Sequence, residues 1–325
     1  MKLKCCIGIC LLFVIYSLVG CNKRNDYYEK NDIVMGTFVS IKVRSDTGEE
    51  AVNAAFQRLE EIEQIMSSKI EDSELSDLNK NAYDKEVVVS EELFYVIEKA
   101  IYYAELSNGA FDPTIGRLVD MWNIGSGDER VLSNDEVSEL IGLKNYKNVV
   151  LNPDNNSIKF NDSNVKIELG AIAKGYAADI LKKMLVEEYS VKSGIISLGG
   201  NIITIGSKLD EEKWSVGIQS PTNSQDMIDT LEIADRTVVT SGNYERFFEY
   251  DGKKYHHIID PKDGFPADNG IISATIIADS SIEADALSTA TFIMGIDKSL
   301  KLIEGMEGIE AIFVTEDDEI IKTWE

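Results

Sequence analysis

Histidine is nearly absent from this 325-residue chain: there are two, His256 and His257, side by side. A site built on several imidazoles is therefore excluded. Cysteine is missing from most of the chain, since Cys5, Cys6, Cys10 and Cys21 all fall in the first 21 residues. A chain processed at Cys21 keeps no thiol pair for a disulfide, a CxxC redox centre or thiolate metal ligation. Positive charge is scarce too. Lys and Arg number 32 against 57 Asp and Glu, a formal charge of −25 that becomes −27 once Lys2 and Lys4 are removed. Nucleic acid is thus excluded as a favoured partner, because phosphate-backbone affinity depends on clustered cations. A phosphate-bearing ligand would need local help from a metal ion or backbone N–H groups. Neither G-x-G-x-x-G after a strand nor G-x-x-x-x-G-K-[ST] occurs, so the two common phosphate-cradling loops are absent. There is no long linker, low-complexity tract or regular repeat.

What is present begins with "MKLKCCIGICLLFVIYSLVGC", two lysines and then an uncharged apolar run from Cys5 to Val19. The run is shorter than the roughly 20 residues that cross a bilayer and fits the core of a signal peptide. Leu18-Val19-Gly20-Cys21 has the form of a bacterial lipobox, with Cys21 lipidated and N-terminal after cleavage. Residues 1–20 are expected to be a lipoprotein signal, the polar stretch 21–31 a lipid-anchored tether, and 32–325 the working domain, held at the extracytoplasmic face of a membrane.

Within that domain, "IVMGTFVSIKVRS" alternates as a strand. Val52, Ala55, Phe56, Leu59, Ile62 and Met66 form one helical stripe. "IEDSELSDLNKNAY" reads as polar turn, and a second helix starts at an N-cap Ser90 and stops at Asn108-Gly109. A short helix is capped by Ser133 or Asn134. "NVVLNPDNNSIKF" is a hairpin, and "VKIELGAIAKGYAADILKKMLVEE" a strand passing into a helix. Further hairpins, a helix over "SIEADALSTATFIMG", another over "DKSLKLIEGM" and a terminal hairpin complete the chain. The pattern predicts an α+β fold, with mixed or antiparallel sheets and packed helices in one large domain of two fused lobes.

Several stretches carry possible chemistry, each with a purely structural alternative. "ELGAIAKGYAAD" (168–179) places small residues at a strand-to-helix bend, either to admit a ligand to backbone groups beside Lys174 or to let the helix pack closely. "SLGGN" (197–201) is a tight hairpin turn or a close backbone approach to a large flat group. "TSGNYERFF" (240–248) has Ser241-Gly242, another small turn. In "EADALSTATFIMG" (283–295), Asp285 and Thr289 share a helix face, a carboxylate and a hydroxyl suited to Mg²⁺ if other oxygen donors complete the shell. Alternatively Asp285 caps the helix and Thr289 bonds back to the preceding turn. His256 and His257, on a strand, point to opposite faces, so at most one enters a given pocket, as a proton carrier or a ligand contact.

Taken in order, "MGTFVSI", "FDPTIGRLVDMW", "ELGAIAKGYAAD", "SLGGNI", "TSGNYERFF", "HHIIDPKDGFP" and "ADALSTATFIMG" resemble the bacterial FAD:protein FMN transferases of the ApbE family. The resemblance implies Mg²⁺-dependent transfer of the FMN half of FAD to a threonine (or serine) hydroxyl of an acceptor protein, with release of AMP. It implies Mg²⁺ ligation by Asp285, Thr289 and the backbone carbonyl of Ala171. It carries the flavin pocket onto Met35, Glu168, Lys174, Gly199, Gly200, Asn201, Ser241 and His257, with Asp285 or His257 as candidates to move a proton. Asp263 replaces the threonine many relatives have in their "DPxTG" turn. An extracytoplasmic acceptor such as a membrane redox subunit is the implied partner. Mg²⁺-dependent FAD hydrolysis to FMN and AMP, and flavin binding without turnover, are the alternative functions.

Overall fold

The structure, a computed structural model, describes residues 27–141, 145–208, 211–223 and 225–324. The signal segment and Cys21 lie outside these residues. The first elements are the strands β1 (Tyr28–Val34) and β2 (Thr37–Arg44), paired antiparallel around a Met35-Gly36 turn in which both residues have positive φ, 54° and 65°. Apolar alternation runs through this turn in the sequence, which is why it reads there as one strand; the mirror-image turn geometry that tight hairpins favour breaks it in two. β1 also corrects the domain boundary. Tyr28 to Asn31, part of the stretch read as tether, pair with β2, and a Cβ on Gly48 would stand 3.1 Å from that of Tyr28. A polar edge strand held by backbone bonds has little apolar signature to announce it.

Helix α1 (Gly48–Met66) buries Val52, Ala55, Phe56, Leu59, Ile62 and Met66, the expected stripe. Helix α2 (Glu74–Asn81) replaces the expected polar turn: Ser73 Oγ caps it by accepting from Ser76 N at 3.0 Å, while Leu75 and Leu78 are buried. After β3 (Val87–Val88), α3 (Glu91–Leu106) is capped by Ser90 Oγ and stopped by Asn108 and Gly109, both at positive φ. Then follow α4 (Gly116–Trp122) and α5 (Asn134–Ile141), with Ser133 and Glu136 bonding reciprocally at the start of α5. The hairpin β4 (Val149–Asn152) and β5 (Ser157–Phe160) forms as expected. Residues 165–169 do not form the expected strand; among the described residues a single parallel bridge between Ile115 and Lys166 is their ladder contact, and the chain enters α6 (Ala173–Glu187). The remaining elements are β6 (Ser193–Leu198), β7 (Asn201–Ile205), β8 (Trp214–Gln219), β9 (Met227–Ile233), β10 (Thr237–Gly242), β11 (Phe247–Tyr250), β12 (Lys253–His256), β13 (Ile271–Ala278), α7 (Ser281–Met294), α8 (Ile296–Glu304), β14 (Glu310–Thr315) and β15 (Ile320–Lys322).

An eight-stranded antiparallel sheet, in the order β1-β2-β6-β7-β10-β13-β14-β15, forms the centre. Helices α6 and α7 lie on one face, over β7, β10 and β13. The β8–β9 hairpin covers the other face, its Val216, Ile218 and Ile233 packed against Val238, Ile277 and Ile312. Covered on both sides, β13 buries every residue from Ile271 to Ala278. A smaller cluster of Leu118, Trp122, Leu132, Val137 and Ile259 joins α4 and α5 to the β11–β12 hairpin, and Trp122 Nε1 donates to the Gly264 carbonyl at 2.8 Å. The Asp-Pro-Lys-Asp-Gly turn serves this cluster: Gly264 N closes back to the Asp260 carbonyl, and Asp263 accepts from Phe265 N.

Candidate active site

The site grows from the contact of α6 with α7. A Cβ on Gly175 would stand 2.2 Å from the Ser281 carbonyl and 2.7 Å from Asp285 Cβ, so only glycine lets the helices come this close. The close-packing alternative for "ELGAIAKGYAAD" therefore holds at Gly175. The same approach delivers Gly175 N to Asp285 Oδ2 at 2.9 Å. Lys174 Nζ lies 3.5 Å from Asp285 Oδ1 and donates to the Gly170 carbonyl at 3.1 Å, so one ammonium spans the bend that carries Ala171 and the α7 carboxylate. Asp285 is only 3 % exposed. It does not cap its own helix. Asp179 of α6 does that, accepting from Ser281 N and Ile282 N at 2.8 and 2.9 Å.

One turn along α7, Thr289 Oγ1 lies 3.3 Å from Ser241 Oγ, which also shares a 2.8 Å hydrogen bond with Ser288 Oγ. The end of β10 thus meets the same helix face as Asp285. Beside it, the Gly199-Gly200 turn presses on β2, where a Cβ on Gly199 would fall 1.9 Å from Thr37 Oγ1. Asn201 pairs with Val239 across the ladder and so shares the helix-side face of the sheet with Ser241. Asn201 is 1 % exposed, and its Nδ2 has no partner. A buried amide donor left unpaired costs about 1–3 kcal/mol, which an acceptor on a bound molecule would recover.

Glu168, half-buried, accepts from Gly170 N at 3.0 Å; burial raises its carboxyl above the usual range, against the pull of Gly170 N, Lys69 and Lys174. Glu245 follows β10 with an exposed side chain, surrounded on its other side by protein atoms. That surrounding pushes its carboxyl up to about 7, with Lys174 and Arg246 opposing and Asp285 adding to the rise. Arg246 is pinned by Nη2 to the Gly36 carbonyl at 3.0 Å, which ties this loop to the turn holding Met35. The two histidines separate. His256, 5 % exposed, bonds through Nε2 to the Ala267 carbonyl at 2.9 Å and meets the Phe292 ring edge-on. His257 is half-buried on the site side, its Nδ1 3.3 Å from the Arg246 carbonyl; burial, then Arg246 and Lys174, push its imidazole down to about 4.

The sequence pointed to Asp285, Thr289, Ser241, Lys174, Gly199 to Asn201, Glu168 and His257, and the fold gathers them around the α6–α7 contact. Glu245, Arg246, Thr37 and Asp179 stand among them without a signal in the motifs of their own. Only the "YER" charges directly after the Ser241 turn could have signalled the first two. Among the described residues no three His, Cys, Asp or Glu side chains converge, so any cation here would take one carboxylate, hydroxyls and backbone carbonyls, a hard-oxygen set.

The fold is that of the flavin transferases. The structure of an ApbE protein from Thermotoga maritima superposes with a TM-score of 0.86 and is 36% identical, covering 92% of this chain and 97% of that one. The flavin transferase ApbE from Vibrio cholerae superposes at 0.81 with 27% identity, covering 91% and 96%. A protein of Treponema pallidum named FAD:protein FMN transferase is 35% identical over 330 residues, 96% of this chain and 91% of its own length. Another of that name from Klebsiella pneumoniae is 34% identical over 298 residues, 91% of this chain and 92% of its own. The profile of the ApbE family matches residues 35–313, and the chain belongs to that family.

Proposed function

We propose that this protein transfers the FMN moiety of FAD to a threonine or serine hydroxyl of an acceptor protein and releases AMP. The observation that carries the reading is the convergence of Asp285, Thr289, Ser241 and Lys174 beside the Gly199-Gly200 turn, with the unpartnered Asn201 amide buried on the same sheet face as Ser241. A strongly acidic protein can hold a dianionic diphosphate only where charge is offset locally, and Lys174 supplies a cation at that point. The glycine turn lets backbone approach a flat ring, and Asn201 Nδ2 offers a donor to a carbonyl or phosphate oxygen.

The donor set fits a divalent ion, and we assign Mg²⁺ to Asp285, Thr289 and the Ala171 carbonyl. Bound there, Mg²⁺ would supply Lewis-acid polarisation of the diphosphate and offset charge on departing AMP. The chain's own residues do the rest. Met35, Glu168, Gly199, Gly200, Asn201, Ser241 and His257 orient the flavin end of the substrate, and Lys174 holds the diphosphate against the α6 bend. The acceptor hydroxyl then approaches the FMN-side phosphorus in line with the bond to AMP. Lipidation at Cys21 would hold the enzyme at the extracytoplasmic membrane face, within reach of membrane redox subunits as acceptors.

Gly170, Gly200 and Glu245 are exposed, so water can reach the same place when no acceptor fills it, and FAD hydrolysis to FMN and AMP is the corresponding side reaction. Incubating the protein with FAD and Mg²⁺, with and without a threonine-bearing acceptor peptide, separates the readings by mass spectrometry. Transfer gives a peptide mass gain equal to FMN. AMP without that gain supports hydrolysis alone, and neither product would leave only binding. Asp285→Ala should lower transfer at least about 10²-fold, the loss expected when a metal-holding carboxylate worth several kcal/mol is removed; a full-rate variant would sink the metal assignment.

A further inference from the structure

Among the described residues, Glu245 is a carboxylate at the mouth of the site whose lone pairs are uncommitted. Its Oε1 lies 3.5 Å from where a Cβ on Gly200 would stand, so the carboxylate overhangs the Gly199-Gly200 turn on its solvent side. Among the described residues it makes no hydrogen bond and no ion pair. The charged groups facing it come from three elements, Lys174 on α6, Asp285 on α7 and Arg246 beside it on the loop after β10. Both cations are engaged elsewhere, Lys174 with Asp285 and the Gly170 carbonyl, Arg246 with the Gly36 carbonyl.

The other groups that could take a proton are worse placed. Asp285 is 3 % exposed and already receives Gly175 N and Lys174. Glu168 accepts from Gly170 N behind the bend. His257 turns Nδ1 to the Arg246 carbonyl, and burial holds its imidazole at about 4, a weak base at neutral pH.

The geometry points to Glu245 as the residue that takes the proton from the acceptor hydroxyl. The inference rests on the FMN-transfer reading. The hydroxyl oxygen forms a bond to the FMN-side phosphorus of FAD. The bond from that phosphorus to the bridging oxygen breaks, and its electron pair leaves with AMP. The hydroxyl proton passes to the Glu245 carboxylate, which returns it to solvent across its exposed side. Desolvation by the surrounding protein supports this role by raising the carboxyl to about 7, since a base is most effective when its affinity for protons matches the working pH.

The test compares the unsubstituted protein with Glu245→Gln and Glu245→Asp, using FAD, Mg²⁺ and a threonine-bearing peptide. Peptide mass gain gives the rate, and flavin fluorescence gives FAD binding separately. Glu245→Gln is expected to lose at least about 10²-fold in kcat, as removal of a general base does, with FAD affinity changed by less than about threefold. The acid limb of the kcat profile near pH 7 should vanish in Glu245→Gln and persist, shifted, in Glu245→Asp. Transfer by Glu245→Gln within about threefold of the unsubstituted rate, or parallel losses of rate and FAD affinity, would overturn the assignment alone. No mass gain with the unsubstituted protein would overturn the transfer reading and this assignment with it.

Discussion

Two neighbouring imidazoles end in opposite surroundings although β12 ends at His256, because the backbone bond from His257 N to the Arg246 carbonyl carries the pairing one residue further. His256 turns into the core against Phe292 and the Ala267 carbonyl, while His257 turns to Arg246 and the side of Lys174. Their substitutions should therefore separate on different instruments. His256→Ala leaves a buried carbonyl unpaired and a space beside Phe292, and should cost about 1–3 kcal/mol in urea unfolding. His257→Ala should leave the unfolding midpoint nearly unchanged and weaken FAD binding or transfer. Equal effects of both on FAD handling would count against this placement. At this scale the motifs mark Asp285, Thr289 and Ser241, and the fold brings Ser241 against the α7 face that carries the other two. The sequence was silent on Glu245, because a charged loop residue reads as solvated until folding lays it over Gly200.

The working element is the α6–α7 pair, which is built twice over. Gly175 sets how closely the helices approach, and Asp179 caps α7 from the side of α6. Gly175→Ala would drive a methyl into the Ser281 carbonyl and should cost about 1–3 kcal/mol, the range for overpacking. Because the same displacement pulls Gly175 N from Asp285, transfer should fall with stability in that variant. A Gly175→Ala protein with unchanged unfolding midpoint and full transfer would show that the contact does not position the carboxylate. Element existence was legible where periodicity is long, as in α1 and α3. It failed where the signal is local: α2 depends on the Ser73 cap and two buried leucines, and β1 on backbone pairing with only Val34 buried and Tyr28 partly packed. The Asp179 cap was invisible in sequence, since it joins residues a hundred positions apart in the chain.

At the scale of the whole molecule, a formal charge of −25 faces a ligand whose diphosphate is also negative. Encounter is opposed at long range, while capture depends on Lys174 and the hard-oxygen site at short range. Salt distinguishes the two. Raising ionic strength from about 0.01 to 0.15 M shortens the screening length from about 30 to about 8 Å, which weakens repulsion from distant carboxylates far more than a contact at Lys174. The apparent KM for FAD at saturating Mg²⁺ is therefore expected to fall by about two- to fivefold over that range. Self-repulsion of the folded chain should ease at the same time, so its Tm should rise. A KM that climbs with salt would mean that local attraction governs encounter as well as capture, and that the acidic surface is electrically remote from the mouth where Glu245 and Arg246 stand.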